Sequence, residues 1–158
     1  MNIKEFVKDY SEEDELKIMF AWNGKHSEEF LDENMPFRLE VLKYFESRPD
    51  ECSIELVAAL YCAETEYAKE AWGVNRIVSL LAEQLLERGR SKYASEYLKG
   101  WGRGMDAHLQ SKQVQLSMEC IQELISFAKS RKEKDEFPNS SQAQYFKEFL
   151  ESKLESKH

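Results

Sequence analysis

Three histidines and three cysteines are the side chains in this 158-residue chain most able to carry catalysis or hold a metal. Cys52, Cys62 and Cys120 form no CxxC pair, and an odd count of thiols fits a reducing compartment. Cys62 lies within an apolar helical run and reads as core. No HExxH pattern is present. His26 falls in an expected turn, and His158 is terminal. His108 follows Asp106 by two residues, so on one helix the pair points to different faces and does not chelate together. His108 with Cys120 could make a nucleophile pair, and an enzyme would need a pocket where His108, Asp106, Arg103 or Cys120 converge. Carboxylates are plentiful, but Glu64 and Glu66 face different ways on a helix. A di-metal bundle needs Glu-x-x-His motifs on two helices, which this chain does not supply. No catalytic residue, metal or cofactor is therefore expected.

Two other patterns invite a binding role. Gly100-Trp101-Gly102-Arg103-Gly104 is rich in glycine, but a dinucleotide fingerprint needs a preceding strand and different spacing. A tight helix crossing, or a bend or break in the helix, explains it better. Arg88, Arg90, Lys92, Lys99 and Arg103 are interleaved with Tyr93, Tyr97 and Trp101. At helical spacing Tyr97 and Trp101 align with Ala94 and Met105, which makes them a core stripe rather than a platform for single-stranded nucleic acid. The arginines are then free to contact the acidic N-terminal helices, of this chain or of a second copy.

The charge pattern carries more information. The net charge is −8. Between Ser11 and Glu33, eight acids stand against Lys17 and Lys25, leaving −6 in that segment. Such a surface disfavours nucleic acid, because affinity for phosphate comes from Lys and Arg. It would steer a basic protein instead. The bland alternative is that these acids complement helix dipoles and keep the chain soluble.

An all-α framework must hold these groups. From Ser53 to Trp72 apolar residues recur in two stripes, one through Ile54, Val57 and Tyr61 and the other through Leu56, Leu60 and Ala63. A helix with two apolar stripes is buried on more than one side and belongs at the centre of a bundle. Val74, Ile77, Val78, Leu81 and Leu85 carry the next helix to Gly89, where a left-handed cap is expected. Arg76 and Glu83 share a face of it and could form an ion pair.

Upstream, Asn2 caps a short helix through Ile3, Phe6, Val7 and Tyr10. Ser11 caps a second, with Leu16, Met19 and Phe20 as its apolar face and Asn23-Gly24 as its end. Ser27 starts a brief turn. Pro36 opens a helix with Phe37, Val41 and Phe45 inward, which Arg48-Pro49-Asp50 stops. Downstream, Ser91 caps a helix through Met105, Ser111–Leu116 connects, and Ser117 caps a helix through Met118, Ile121, Leu124 and Ala128. Lys129–Glu136 is charged surface, Phe137-Pro138-Asn139 is a loop, and Ser140 or Ser141 begins the last helix.

The expected architecture is a compact irregular bundle of about six to eight helices. It occupies a single domain, residues 1–158, frayed over about 152–158, and its helix pairs could stack in solenoid fashion. No repeat of fixed period supports a tetratricopeptide array. There is no signal run at Met1–Phe6 and no membrane span, so a cytoplasmic protein is expected.

The leading expectation is a non-catalytic module that captures a basic protein partner, in the manner of bacterial immunity and inhibitor proteins that neutralise toxins. Its contact residues would be Glu12, Glu13, Asp14, Glu28, Glu29 and Asp32. A helical adaptor with an apolar groove near Trp101, a homodimer, and an enzyme of unassigned class are the alternatives.

Overall fold

The computed structural model describes residues 2–71, 73–134 and 140–157. Within them the chain forms eight α-helices and no strand beyond an isolated bridge between Trp22 and Asp32. The helices are α1 (Ile3–Lys8), α2 (Met35–Ser47), α3 (Ile54–Ala71), α4 (Ile77–Gly89), α5 (Ala94–Trp101), α6 (Met105–Ser111), α7 (Met118–Lys134) and α8 (Ser140–Glu155). Short 3-10 turns at Glu12–Lys17, Ser27–Glu29, Pro49–Glu51 and Arg90–Tyr93 link them. The result is an all-α bundle of packed helix pairs.

α3 is the element the others pack around. Leu56, Val57, Leu60, Tyr61 and Thr65 are all fully buried, so the two stripes both face protein. α4 and α5 lie against it, and α7 pairs with α8. Val78, Leu81 and Leu85 of α4, Tyr97 of α5, Ile121 and Leu124 of α7, and Phe146 and Leu150 of α8 complete one apolar core. Each large side chain removed from water this completely contributes about 1.5–3 kcal/mol, which helices this short need in order to persist.

Local signals set several helix starts. The Asn2 side chain accepts a hydrogen bond from the Lys4 N–H at 2.8 Å. Pro36 lies in the first turn of α2, where its missing N–H costs nothing. The Ser117 hydroxyl accepts from the Cys120 N–H at 3.1 Å, capping α7.

Several expectations are overturned. Residues after Ser11 form a 3-10 turn rather than an α-helix, and its inward residue is Ile18, with no exposure. Leu16 and Met19, expected as the apolar face, are 73% and 40% exposed. A tighter turn of about three residues rotates each successive side chain further than an α-helix does, so the faces exchange. Gly89 is not left-handed; the positive φ falls on Arg90, at 52°. Gly89 is required for space instead, because a Cβ there would sit 2.7 Å from the Tyr93 ring.

The helix through Met105 is broken. α5 ends at Trp101, Gly104 takes φ 147°, and α6 begins at Met105, which is 78% exposed rather than in the core stripe. Gly100 also meets a neighbour closely: a Cβ there would run into the ring of Tyr61. Arg76 is exposed and unpaired with Glu83, whose carboxylate accepts the Gln115 N–H at 2.7 Å. Helical structure continues through Glu155, past the expected start of fraying. Trp72, the Phe137-Pro138-Asn139 loop and His158 lie outside the described residues.

Candidate functional site

Residues 18–34 contain one three-residue 3-10 turn and otherwise little regular structure, yet they are anchored to the core through one cation. Arg38 on α2 has no exposure. Its Nη2 donates to Asp32 Oδ2 at 2.6 Å, its Nε donates to Glu64 Oε2 on α3 at 2.7 Å, and its Nη1 donates to the Ile18 carbonyl at 3.2 Å. Asp32 Oδ1 in turn accepts the N–H groups of Ala21 and Asn34, at 3.0 and 3.3 Å. Burial works against the Arg38 charge, but its bonds to Asp32 and Glu64 outweigh it and hold the guanidinium above its ordinary range. Burial pushes the Glu64 carboxyl upward, with Arg38 pulling the other way.

Two asparagines finish the anchoring. The Asn34 amide donates to the carbonyls of Leu16 and Met19 at 3.0 and 2.9 Å. The Asn23 side chain donates to the Glu29 carbonyl and accepts from the Lys25 and Leu31 N–H groups. Phe20 and Phe30 both meet the edge or face of the Tyr67 ring on α3, at 6.1 and 5.6 Å. The backbone of this acidic segment is thus fixed by side chains together with the isolated Trp22–Asp32 bridge, whose backbone bonds run from the Asn23 N–H to the Leu31 carbonyl and from the Glu33 N–H to the Ala21 carbonyl.

The structure divides the six residues expected to contact a partner. Asp32 is 2% exposed and committed to Arg38, so it is a structural residue and cannot serve as a contact. Asp14 closes a capping box with Ser11 and pairs with Lys17 at 3.3 Å. Glu12, Glu13, Glu28 and Glu29 are exposed. They do not form one cluster: Glu12 faces the first half of α3, whereas Ser27 and Phe30, which flank Glu28 and Glu29, lie against Tyr67 and Glu70 near its end. At about 1.5 Å per residue those two parts of α3 are separated by roughly 20 Å.

Glu12 instead joins a group that the linear pattern does not display. A cleft of about 460 Å³ opens between the N-terminal segment, α3 and the start of α5. Glu12 and Glu15 line one side, Glu55 the second and Glu96 the third, with Tyr10 and Tyr93 among its walls. No Lys or Arg lines it, and none of the four carboxylates forms an ion pair among the described residues. Burial, followed by the field of Glu15, Asp14, Glu12 and Glu55, pushes the Tyr10 hydroxyl up to about 12. Burial, then Glu55 and Glu96, pushes Tyr93 upward too.

Among the described residues, the expected arginine contacts to the acidic helices of the same chain do not form. Arg88 donates to the carbonyls of Pro49 and Cys52, Arg90 pairs with Glu123, and Arg103 donates to Thr65 Oγ1 at 2.9 Å and pairs with Glu66. Nor do Cys120, Asp106 and Arg103 join His108 in one pocket. Cys120 is buried against the Leu86 carbonyl, Asp106 is exposed, and Arg103 is spent on α3. Cys62 is half-buried at the acidic cleft, where burial, then its bond to Glu66, pushes the thiol up to about 11, far from a reactive thiolate. No group of three or more His, Cys, Asp or Glu side chains among the described residues is arranged to hold a metal ion, and the four glutamates of the cleft are no exception.

A second, larger depression of about 870 Å³ lies between the α5–α6 turn and α8, floored by Trp101 and Phe149 and rimmed by Met105 and Tyr145. His108 sits in it, and its Nε2 accepts from the Trp101 Nε1–H at 3.2 Å. Burial, then Lys112, holds this imidazole below its ordinary range. The unfolded chain therefore takes up the proton first. Stability from this group is intact above about pH 6.5 and is lost as the pH falls below that value. Urea denaturation between pH 7.5 and 5.5 should show a falling midpoint, and His108→Gln should flatten the slope.

No helix among the described residues is long and apolar enough to cross a membrane. In comparison with known proteins, the chain matches no family model, no curated protein and no solved structure.

Proposed function

We propose that the chain is a non-catalytic module that captures a basic protein through its acidic N-terminal face, with the Glu12–Glu15–Glu55–Glu96 cleft at the centre. The observation that carries this reading is the convergence of four unpaired carboxylates from three chain segments on one open cleft that no basic side chain lines. Like charges gathered this way repel one another, and a cationic partner would relieve that repulsion. The Arg38 anchor supports the same reading, since a surface already ordered loses less entropy on binding. We place this activity in a reducing cytoplasm, consistent with three free thiols. Neutralisation of a toxin, as bacterial immunity proteins achieve it, is the form of capture we favour.

The test is retention of proteins from the source cell's lysate at low and high salt, using the chain and its Glu12→Lys/Glu55→Lys/Glu96→Lys variant as baits. A basic protein held by the original chain at low salt, released at high salt and lost by the variant is the expected result. Equal retention by both baits would overturn the proposal. The exposed Met105 and Tyr145 beside Trp101, at 78% and 64%, favour a second reading as a helical adaptor. Retention that survives high salt is the mark of that mode.

A further inference from the structure

Asn23 is the only asparagine in the chain followed by glycine. That pair has a chemistry of its own, because glycine has no side chain to keep its nitrogen away from the asparagine carboxamide. Both residues are exposed, so water and hydroxide reach them. Gly24 stands at φ 79°, and its N–H makes no hydrogen bond among the described residues. The nucleophile is therefore free. The electrophile is not. Asn23 Nδ2 donates to the Glu29 carbonyl at 2.6 Å, and Oδ1 accepts the N–H groups of Lys25 and Leu31 at 3.0 and 3.2 Å. The Asn23 N–H donates to the Leu31 carbonyl at 3.0 Å, and the Trp22 indole closes the turn by donating to the Lys25 carbonyl at 2.8 Å.

We infer that Asn23 is a deamidation site that this clamp holds in check, and that its conversion unfastens the turn over residues 23–31. The Gly24 nitrogen gives its proton to hydroxide and bonds to Asn23 Cγ. The Cγ–Nδ2 bond breaks, and the nitrogen leaves as ammonia. Water then opens the resulting succinimide. Cleavage between the ring nitrogen and Cγ gives aspartate. Cleavage between that nitrogen and the main-chain carbonyl carbon gives isoaspartate, with the main chain rerouted through Cβ and Cγ. Water is the only co-reactant, and nothing is oxidised or reduced. Attack makes Cγ tetrahedral and expels Nδ2, so an amide held at both its oxygen and its nitrogen must first come free. Three such bonds correspond to roughly a hundredfold in rate. Either product adds a negative charge and has no N–H left for the Glu29 carbonyl. Isoaspartate also adds a methylene to the main chain beside the Trp22–Asp32 bridge. None of this depends on the capture of a partner.

The full chain is incubated at mildly alkaline pH, folded and in urea, and conversion at Asn23 is followed by peptide mass spectrometry that distinguishes isoaspartate from aspartate. Conversion in urea should outpace that in the folded chain roughly a hundredfold. Trp22→Phe keeps an aromatic ring on Phe20 but removes the bond to the Lys25 carbonyl. With circular dichroism confirming its fold, its folded rate should rise several-fold while its rate in urea stays that of the original chain. The converted chain, once isolated, should exchange its Leu31 amide faster while the amides of α3 and α4 stay protected. Absence of conversion at Asn23 in urea would overturn the site itself. Equal rates folded and in urea would overturn the gating, and so would a folded rate unmoved by Trp22→Phe, which would put the protection outside this turn. Unchanged exchange at Leu31 after conversion would overturn the unfastening.

Discussion

Replacing Arg38 by alanine should destabilise the folded chain by about 3–5 kcal/mol, a large share of the roughly 5–15 kcal/mol that holds a natural domain together. The cost is not the value of the ion pairs as such. It arises because Asp32 and Glu64, both nearly inaccessible, would remain buried without their counter-charge. The sign of the pH dependence follows. In the variant Glu64, which burial already pushes upward, would lose the opposing pull of Arg38, so the folded state would bind a proton more readily than the unfolded one. The deficit should be greatest at neutral pH and shrink as the pH falls toward about 4, where the unfolded carboxyls also protonate. Urea denaturation at pH 7 and pH 5 checks this. Removing all three charges together, in Asp32→Asn/Arg38→Met/Glu64→Gln, should cost less than Arg38→Ala alone. A deficit that stays constant with pH would mean that Arg38 acts by packing instead.

The second large effect is expected at Gly100. A methyl group there runs into the Tyr61 ring, which is itself fully buried. The Tyr61 hydroxyl is fixed by the Tyr97 carbonyl at 3.0 Å and the Ser111 hydroxyl at 2.7 Å, so the ring has nowhere cheap to go. Overpacking of this kind costs about 1–3 kcal/mol, more than the roughly 1 kcal/mol that alanine gains over glycine in a helix. Gly100→Ala should thus lower the unfolding midpoint. Gly102→Ala, two residues on, should not: the nearest atom to its Cβ is the Leu98 carbonyl oxygen at 3.5 Å, an ordinary contact. Tyr61→Leu should relieve part of the Gly100→Ala penalty, which a double-mutant cycle would register as coupling. Equal effects of the two glycine substitutions would refute the packing argument.

What was legible in the sequence is what short-range rules govern. The twin stripes of α3, the Pro36 start of α2 and the Ser117 cap of α7 are each written within a few residues. The Ser11–Glu33 segment was not legible in the same way. Leu16, Met19 and Phe20 fit a helical period as well as any true face does. Ile18 was chosen as the inward residue by Arg38 and Asn34, which lie up to 20 positions away. Charge patterning likewise could not say which acid turns inward. Asp32 and Glu29 look alike in the chain, and only the position of Arg38 separates them. The acidic cleft was least legible, because Glu55 and Glu96 reach it from α3 and α5 and neither stands in an acidic run. Gly89 shows a related limit: glycine there answers a steric demand from Tyr93, while the positive φ falls on Arg90.

The Arg38 anchor also imposes an order in time. The acidic segment leaves the ribosome before Arg38 and Glu64, the two residues of its central anchor that follow it. Asp32 must wait six residues for Arg38, and Arg38 a further 26 for Glu64, which is only in register once α3 has formed. Until then residues 18–34 have only the isolated Trp22–Asp32 bridge and local turns of their own to hold them. The nascent chain therefore displays its negative charge on a loose tether first and converts it into a shaped surface only after its central helix is complete.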